Sequence, residues 1–449
     1  MKAFWKTFLA FFIAIGLGSY AYFVDSKKPA SGDKTKEKVF TVEKDKVKEI
    51  GVAKTDGDSI RVVKEGQDWK LTGPSESPAD ASQIDTLLST IQTAEIGSVV
   101  VEQPDSLAKF GLDKPKFVVT VVADGSKEPQ QLQLGNKTPD ENNLYAKTPA
   151  KARVFTVPSY LESTFDKKPF DLRDRSVLHV KRDAVKTLEI TGPEGAYALA
   201  RKDKDNWLFT APVKTLAGRW SVDSLLGSLE NLQMDAITAE NPTDLKSYGL
   251  DKPARVVVVG LQDGGAKRLE IGGKVPNSDK FYAREAGRNI VAEIQQALPG
   301  DLAKGIGELR AKRLLDVAAY EVTGIEMTID GQARKLERSS TKDGEALDVY
   351  KWKKTAPETK DLETNTVQDV LFQIGGVEVS EFIDKPQAPA SYGLDSPALK
   401  VTLSQDGKPS MWFELAKKDG AVYARRDGDE TVLKLDAKGG ELIEAFKKL

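Results

Sequence analysis

Cysteine is absent from the 449 residues, and histidine occurs once, at His179. The first absence removes disulfides and thiolate metal ligands, and a single imidazole cannot build the common zinc sites. A Ser-His-Asp triad would have to use His179, and no Gly-x-Ser-x-Gly elbow supplies its nucleophile. Flanked by Leu178 and Val180, His179 reads as structural or solvent-facing. A charge excess is missing too: 66 Lys and Arg face 68 Asp and Glu, a net of −2. Nucleic-acid binding needs a basic patch or stripe, and the composition offers none. Zero Cys fits an oxidising compartment without demonstrating one. Long apolar runs are scarce, for the chain has one.

That run, Thr7 to Val24, carries no charge for 18 residues and follows Lys2 and Lys6. It is just long enough to cross a bilayer as one helix. Its length and the interfacial Tyr20 and Tyr22 favour an uncleaved anchor over residues 1–24. The alternative is a cleaved signal peptide, since Ser19-Tyr20-Ala21 is small-x-small. Lys27, Lys28, Lys34, Lys36 and Lys38 beyond the helix resist export, but long domains translocate largely regardless of flanking charge. Residues 25–38, rich in Lys, Ser, Gly and Asp, read as a tether spanning roughly 20 Å.

Beyond the tether the chain writes one motif three times. Phe110-Gly111-Leu112-Asp113-Lys114-Pro115 returns as Tyr248-Gly249-Leu250-Asp251-Lys252-Pro253 and as Tyr392-Gly393-Leu394-Asp395-Ser396-Pro397. The glycines lie 138 and 144 residues apart (249 − 111 and 393 − 249). In this turn Gly takes the left-handed position that ends a short helix, with Asp244 or Thr243 as its cap in the second copy. The next residue packs on the third from the helix end: Leu112 on Leu107, Leu250 on Leu245. Pro389 in the third copy predicts an irregular turn there. Asp113, Asp251 and Asp395 read as turn stabilisers bonding nearby backbone N–H groups. Pro115, Pro253 and Pro397 extend the backbone ahead and launch a strand.

Two further markers keep the same beat. Trp69, Trp207 and Trp352 are each followed five residues later by Pro74, Pro212 and Pro357. Then comes an i, i+3, i+4, i+7 apolar set, the mark of one buried helix face. It reads Ile84, Leu87, Leu88, Ile91; Val222, Leu225, Leu226, Leu229; and Val367, Val370, Leu371, Ile374. The tryptophans read as core anchors, with exposure on a glycan-binding surface as the alternative.

Together with Tyr282-Ala283-Arg284, Tyr423-Ala424-Arg425 and the closing pairs Leu172-Arg173 and Leu309-Arg310, these residues resemble the domain of unknown function 4340 family. The resemblance covers nearly everything after residue 38. It implies a bacterial envelope protein with an amino-terminal membrane helix, and for some members an accessory part in ABC-type systems. Tyr145-Ala146-Lys147 departs from the pattern at its last residue, and the third copy has no Leu-Arg pair.

Short β-branched runs such as Val118–Val122 and Arg255–Val259, separated by Asp-Gly and Gly-Asn turns, predict antiparallel hairpins. The expected fold class is α+β: an N-terminal transmembrane helix, then three tandem repeats over 39–176, 177–315 and 316–449. Each repeat would hold an antiparallel sheet, one amphipathic helix and short capping helices, large enough for its own core. With no linker between them, the repeats are expected to abut.

No catalytic, cofactor-binding or metal residue stands out. Gly135-Asn136-Lys137-Thr138 and Gly272-Gly273-Lys274-Val275 lack the spacing of a phosphate loop and read as hairpin turns. Asp203-Lys204-Asp205-Asn206 and Asp427-Gly428-Asp429-Glu430 lack the EF-hand pattern and read as solvated hairpin tips. The expected role is a non-enzymatic scaffold or adaptor, with no cofactor. Residues 7–24 would hold it in the bacterial inner membrane, the bulk periplasmic, beside a protein partner. An envelope glycan- or lipid-binding module is the alternative. A hydrolase, needing two carboxylates about 5–10 Å apart in a cleft, ranks below both.

Overall fold

A computed structural model describes residues 37–449, apart from 56, 58, 74, 75, 127 and 342–348. The expected anchor over 1–24, the tether except for its last two residues, and Pro74 lie outside the described residues. Among those described, no helix is long and apolar enough to cross a membrane. The chain divides into two compact units, Met1–Arg175 and Ser176–Leu449, the second containing two repeats.

The first unit is one nine-stranded antiparallel sheet. Its strands are β1 (Val47–Lys54), β2 (Ile60–Glu65), β3 (Asp68–Gly73), β4 (Ser77–Pro78), β5 (Val99–Val101), β6 (Phe117–Ala123), β7 (Gln130–Lys137), β8 (Asn143–Lys147) and β9 (Val154–Pro158). Their spatial order is β4-β3-β2-β1-β6-β7-β8-β9-β5, so β1 joins two meanders by pairing with β6. Strand β6 alternates buried and half-buried residues, as a strand with one core face must. Helix α1 (Ala81–Thr93) runs between β4 at one edge and β5 at the other, and so crosses that core face. Asp80 caps α1 by accepting from the Ser82 and Gln83 amides at 2.9 and 3.0 Å. Ile84, Leu87, Leu88 and Ile91 all turn inward against Val62, Val119, Leu132 and Phe155. Each such aliphatic side chain contributes roughly 1.5–3 kcal/mol on burial. Two short helices, α2 (Tyr160–Phe165) and α3 (Pro169–Leu172), finish the unit. After α3, Asp80 N–H donates to Leu172 O, fastening the chain end to the start of α1.

The second unit repeats this strand order twice, in sheets running from Val185–Gly192 to Ile290–Ile294 and from Val322–Ile329 to Val432–Leu435. Helix α4 (Arg219–Glu230) buries Val222, Leu225, Leu226 and Leu229. The closing helices are α5 (Ala297–Leu302) and α6 (Ile306–Leu309). In the third repeat α7 (Thr364–Gly376) buries Val367, Val370, Leu371 and Ile374, and α8 (Lys438–Lys447) covers the same core. The fold is thus three nine-stranded antiparallel sheets with few helices, richer in strand than the α+β expectation conveys.

The repeated turn packs on the sheet face opposite the helix. Gly111, Gly249 and Gly393 sit at φ of 65, 66 and 72°, the left-handed region that glycine enters without strain. Leu112 N–H bonds back to Leu107 O at 3.1 Å and Leu250 N–H to Leu245 O at 3.0 Å. The third turn is not irregular: Leu394 N–H donates to Pro389 O at 3.0 Å, because a proline lacks only the donor and keeps its acceptor. The turn's aromatic meets the strand tyrosine of the Tyr-Ala motif. Phe110 on Tyr145, Tyr248 on Tyr282 and Tyr392 on Tyr423 have ring centroids 5.0, 5.2 and 5.2 Å apart.

Gly135 and Gly272 belong to this packing. They are not hairpin turns: each lies inside a strand where the register shifts, directly beneath the turn. A Cβ at either would collide with the Phe110 or Tyr248 carbonyl oxygen. The third repeat admits a methyl there, for Ala416 packs with Leu394 and Val432.

Candidate functional site

The repeat signature is distributed between core and surface. Trp207 and Trp352 are 3% and 2% exposed, and Trp69 is half-buried against its core. Leu112, Leu250 and Leu394 are buried beneath their turns, while Asp113, Asp251 and Asp395 are exposed. Among the hydrogen bonds of the described residues, none is accepted by those three carboxylates. The turn is closed by backbone bonds instead, so the expected Asp-to-amide bonding is absent from it.

Two arrangements of polar side chains in the second unit bear on a site. The first joins the second and third repeats. Asp427-Gly428-Asp429-Glu430 is a hairpin tip, but only Glu430 is solvated: Asp427 pairs with Lys202, Glu430 with Lys214, and the covered Asp429 accepts from the Leu216 amide. Asp429 and Arg426, both fully buried, pair at 2.8 Å. Arg426 also donates to the carbonyls of Arg313, Leu314 and Ala311. Burial pushes its guanidinium below the ordinary value, against the pull of Asp429. Arg310, from the closing Leu-Arg pair, forks onto Asp384 at 2.8 and 3.1 Å and lies 4.4 Å from the Phe382 ring centroid.

A buried cross-strand pair recurs on the sheets themselves. Glu270 is bonded by Arg268 and Arg284, and Glu414 by Arg425. Burial raises the Glu270 pKa, but the two guanidinium bonds outweigh it and hold the carboxyl below its usual range. In the first repeat the matching cross-strand partners are Gln133 and Lys147. The acid and the arginine are thus replaced together, which accounts for the departure at Lys147.

The second arrangement is a cleft of about 210 Å³ on the second repeat. The turn at Arg182–Ala184, the hairpin loop after Arg201 and the start of α4 form its walls. Arg201 stacks 4.6 Å from the Trp207 ring centroid, its guanidinium held by the carbonyls of Val185, Lys204 and Arg182. Arg182 bonds both oxygens of Asp223, and Arg219 bonds Asp205. Asp203 folds the loop by accepting from the Asp205 and Asn206 amides, so this acidic stretch is a hairpin tip. Trp220 stands at the rim, 72% exposed. Sequence reasoning passed over it. The available signal was a break in the repeat, since Ser82 and Asn365 occupy the matching place in α1 and α7.

Other titratable groups carry less. Glu37 is drawn down to about 2 by hydrogen bonds from Arg153 and Lys151. Burial pushes the Tyr197 hydroxyl up to about 12. His179 Nδ1 lies 3.6 Å from Glu285 and 3.5 Å from Arg288, half-exposed beside that ion pair. Among the described residues no group of three His, Asp or Glu is placed to hold a metal ion.

The family model described as Domain of unknown function (DUF4340) matches residues 69–216 and 207–397. No curated protein matches the chain. Among solved structures, the DNA polymerase sliding clamp from Pseudomonas aeruginosa with ligand is 10% identical, covering 88% of this chain and 92% of that one at a TM-score of 0.16. The DNA polymerase III subunit beta from the same organism is also 10% identical, with coverages of 87% and 92% and a TM-score of 0.15. Superposition that weak carries no argument about fold or role.

Proposed function

We propose that this chain, which belongs to the family described as Domain of unknown function (DUF4340), is a non-enzymatic scaffold of the bacterial envelope. In this reading residues 7–24 anchor it in the inner membrane. The repeats stand in the periplasm and engage a membrane protein, in an accessory role to an ABC-type transport system. The observation that carries it is the buried Arg426–Asp429 junction, which makes two repeats one compact unit. A charged pair sealed from water, with its remaining donors on backbone carbonyls, resists hinging, because opening would strand a buried charge. Repeats fixed in this way offer several similar surfaces at set spacing, which suits multivalent contact.

Crosslinking in intact cells, followed by purification from gently solubilised membranes, is expected to recover one membrane protein in stoichiometric amount. Recovery of the chain alone as a monomer overturns the reading. A groove lined by the signature tryptophans and shared across repeats would have favoured glycan binding; Trp207 and Trp352 are buried and Trp69 is half-buried, which gives that reading little support. A local version of the glycan reading rests on different residues.

A further inference from the structure

We propose that the cleft beside Trp220 is a binding site for an acidic saccharide chain, an activity separate from the scaffold role. Four features of the cleft point to that chemistry.

Trp220 owes nothing to the fold: the buried face of α4 uses Val222, Leu225, Leu226 and Leu229, and the other repeats manage with Ser82 and Asn365. An indole left in water beside a cleft is a flat apolar platform with a polar edge, suited to the C–H face of a sugar ring. Next to it, the polar groups are already held in place, Arg201 by three carbonyls, Arg182 by Asp223 and Arg219 by Asp205. A ligand would not have to order them, which lowers the cost of binding.

The charges select among ligands. Four cations line the cleft, Arg182, Arg201, Lys204 and Arg219, against the carboxylates Asp183, Asp205 and Asp223. Arg201, Lys204 and Asp183 make no ion pair among the described residues, so with Arg182 and Arg219 matched by Asp223 and Asp205 the lining keeps one net positive charge to meet an anion. The carboxylates can accept hydrogen bonds from the hydroxyls that line a saccharide chain. A second cleft, of about 290 Å³, shares Arg201 and adds Lys186, Lys202, Asp203 and Gln262. Two clefts meeting at one arginine suit several linked sugar units better than a single small molecule.

The test is calorimetric titration of the full chain at low salt with tetragalacturonate, its methyl ester and tetraglutamate. Tetragalacturonate is expected to bind, the ester to bind several-fold more weakly, and tetraglutamate not to bind. Trp220→Ala is expected to weaken tetragalacturonate binding about tenfold or more, the size of losing one buried contact. Lys204→Glu is expected to weaken the acid and leave the ester unchanged, which keeps the proposal testable if Trp220→Ala misfolds. Trp412→Ala, on the third repeat, is expected to change nothing. Absence of tetragalacturonate binding, or binding indifferent to Trp220→Ala and Lys204→Glu, overturns the site. Equal binding of the ester overturns the acidic requirement, and equal binding of tetraglutamate overturns the saccharide.

Discussion

The second and third repeats solve one problem with opposite signs. Each must hold the carbonyls of the segment that enters it, and each uses an ion pair between residues three apart just after the Tyr-Ala-Arg motif. In the second repeat the acid comes first: Glu285 lies 3.8 Å from Arg288, and Arg288 donates to Ser176 O and Val177 O. In the third the arginine comes first: Arg426 pairs with Asp429 and donates to Arg313 O and Leu314 O. What the fold repeats is a guanidinium on two carbonyls, not a residue at a position. The pairs also differ in cover, for Arg426 and Asp429 are sealed while Arg288 is partly solvated and Glu285 is shared with Lys267. Equal spacing in sequence therefore carries unequal energy, since a buried charge without its partner costs far more than an exposed one.

Breaking the sealed pair should give the largest effect. Arg426→Ala strands Asp429 and three carbonyls, and is expected to cost about 3–5 kcal/mol of unfolding free energy, read by urea denaturation. Reversing the pair with Arg426→Glu and Asp429→Arg, the polarity of the second repeat, should recover only part of that loss. The reason is that the Leu216 amide would lose its acceptor. Full recovery would show that the junction does not depend on that bond. Gly272→Ala should cost about 1–3 kcal/mol by driving the Tyr248 turn off the sheet. Ala416→Gly in the third repeat should cost about 1 kcal/mol or less, measured the same way. Arg288→Ala is expected to cost about 1–3 kcal/mol, less than Arg426→Ala. A larger loss would overturn the ranking by burial.

The smallest effect concerns pH. Glu37 has its folded pKa depressed from 4.5 to about 2, so its contribution is present above the unfolded value and is lost as pH falls through about 2. With its side chain half-exposed, screening keeps that contribution small. Lys151→Ala with Arg153→Ala should return its titration, followed by NMR, to the ordinary glutamate range.

Much of the fold was legible before any coordinates. The three apolar quartets from Ile84, Val222 and Val367 onward all turn inward, because a 3.6-residue period admits one buried face. The glycines at 111, 249 and 393 take φ near +65 to +72°, as a helix-ending turn requires. Legibility ended where partners are distant in sequence. Gly135 looked like a turn because glycine marks turns locally; its cause is Phe110, which crosses above it on the other face. Asp427 to Glu430 do form a loop tip, but nothing local showed that Asp429 is sealed, because the partners Lys202, Lys214 and Leu216 lie more than two hundred residues earlier. Trp220 was hidden by its neighbours in α4, which fit the repeat so well that one residue outside the pattern drew no notice.

By itself the sequence determined the unit and its count: the period of the apolar positions and the glycine-ended turn are local properties, written three times. The tertiary structure alone decided which charges are sealed and which face water. Burial belongs to surfaces brought together, and the same acidic residue is a solvated carboxylate or a buried clasp according to what closes over it.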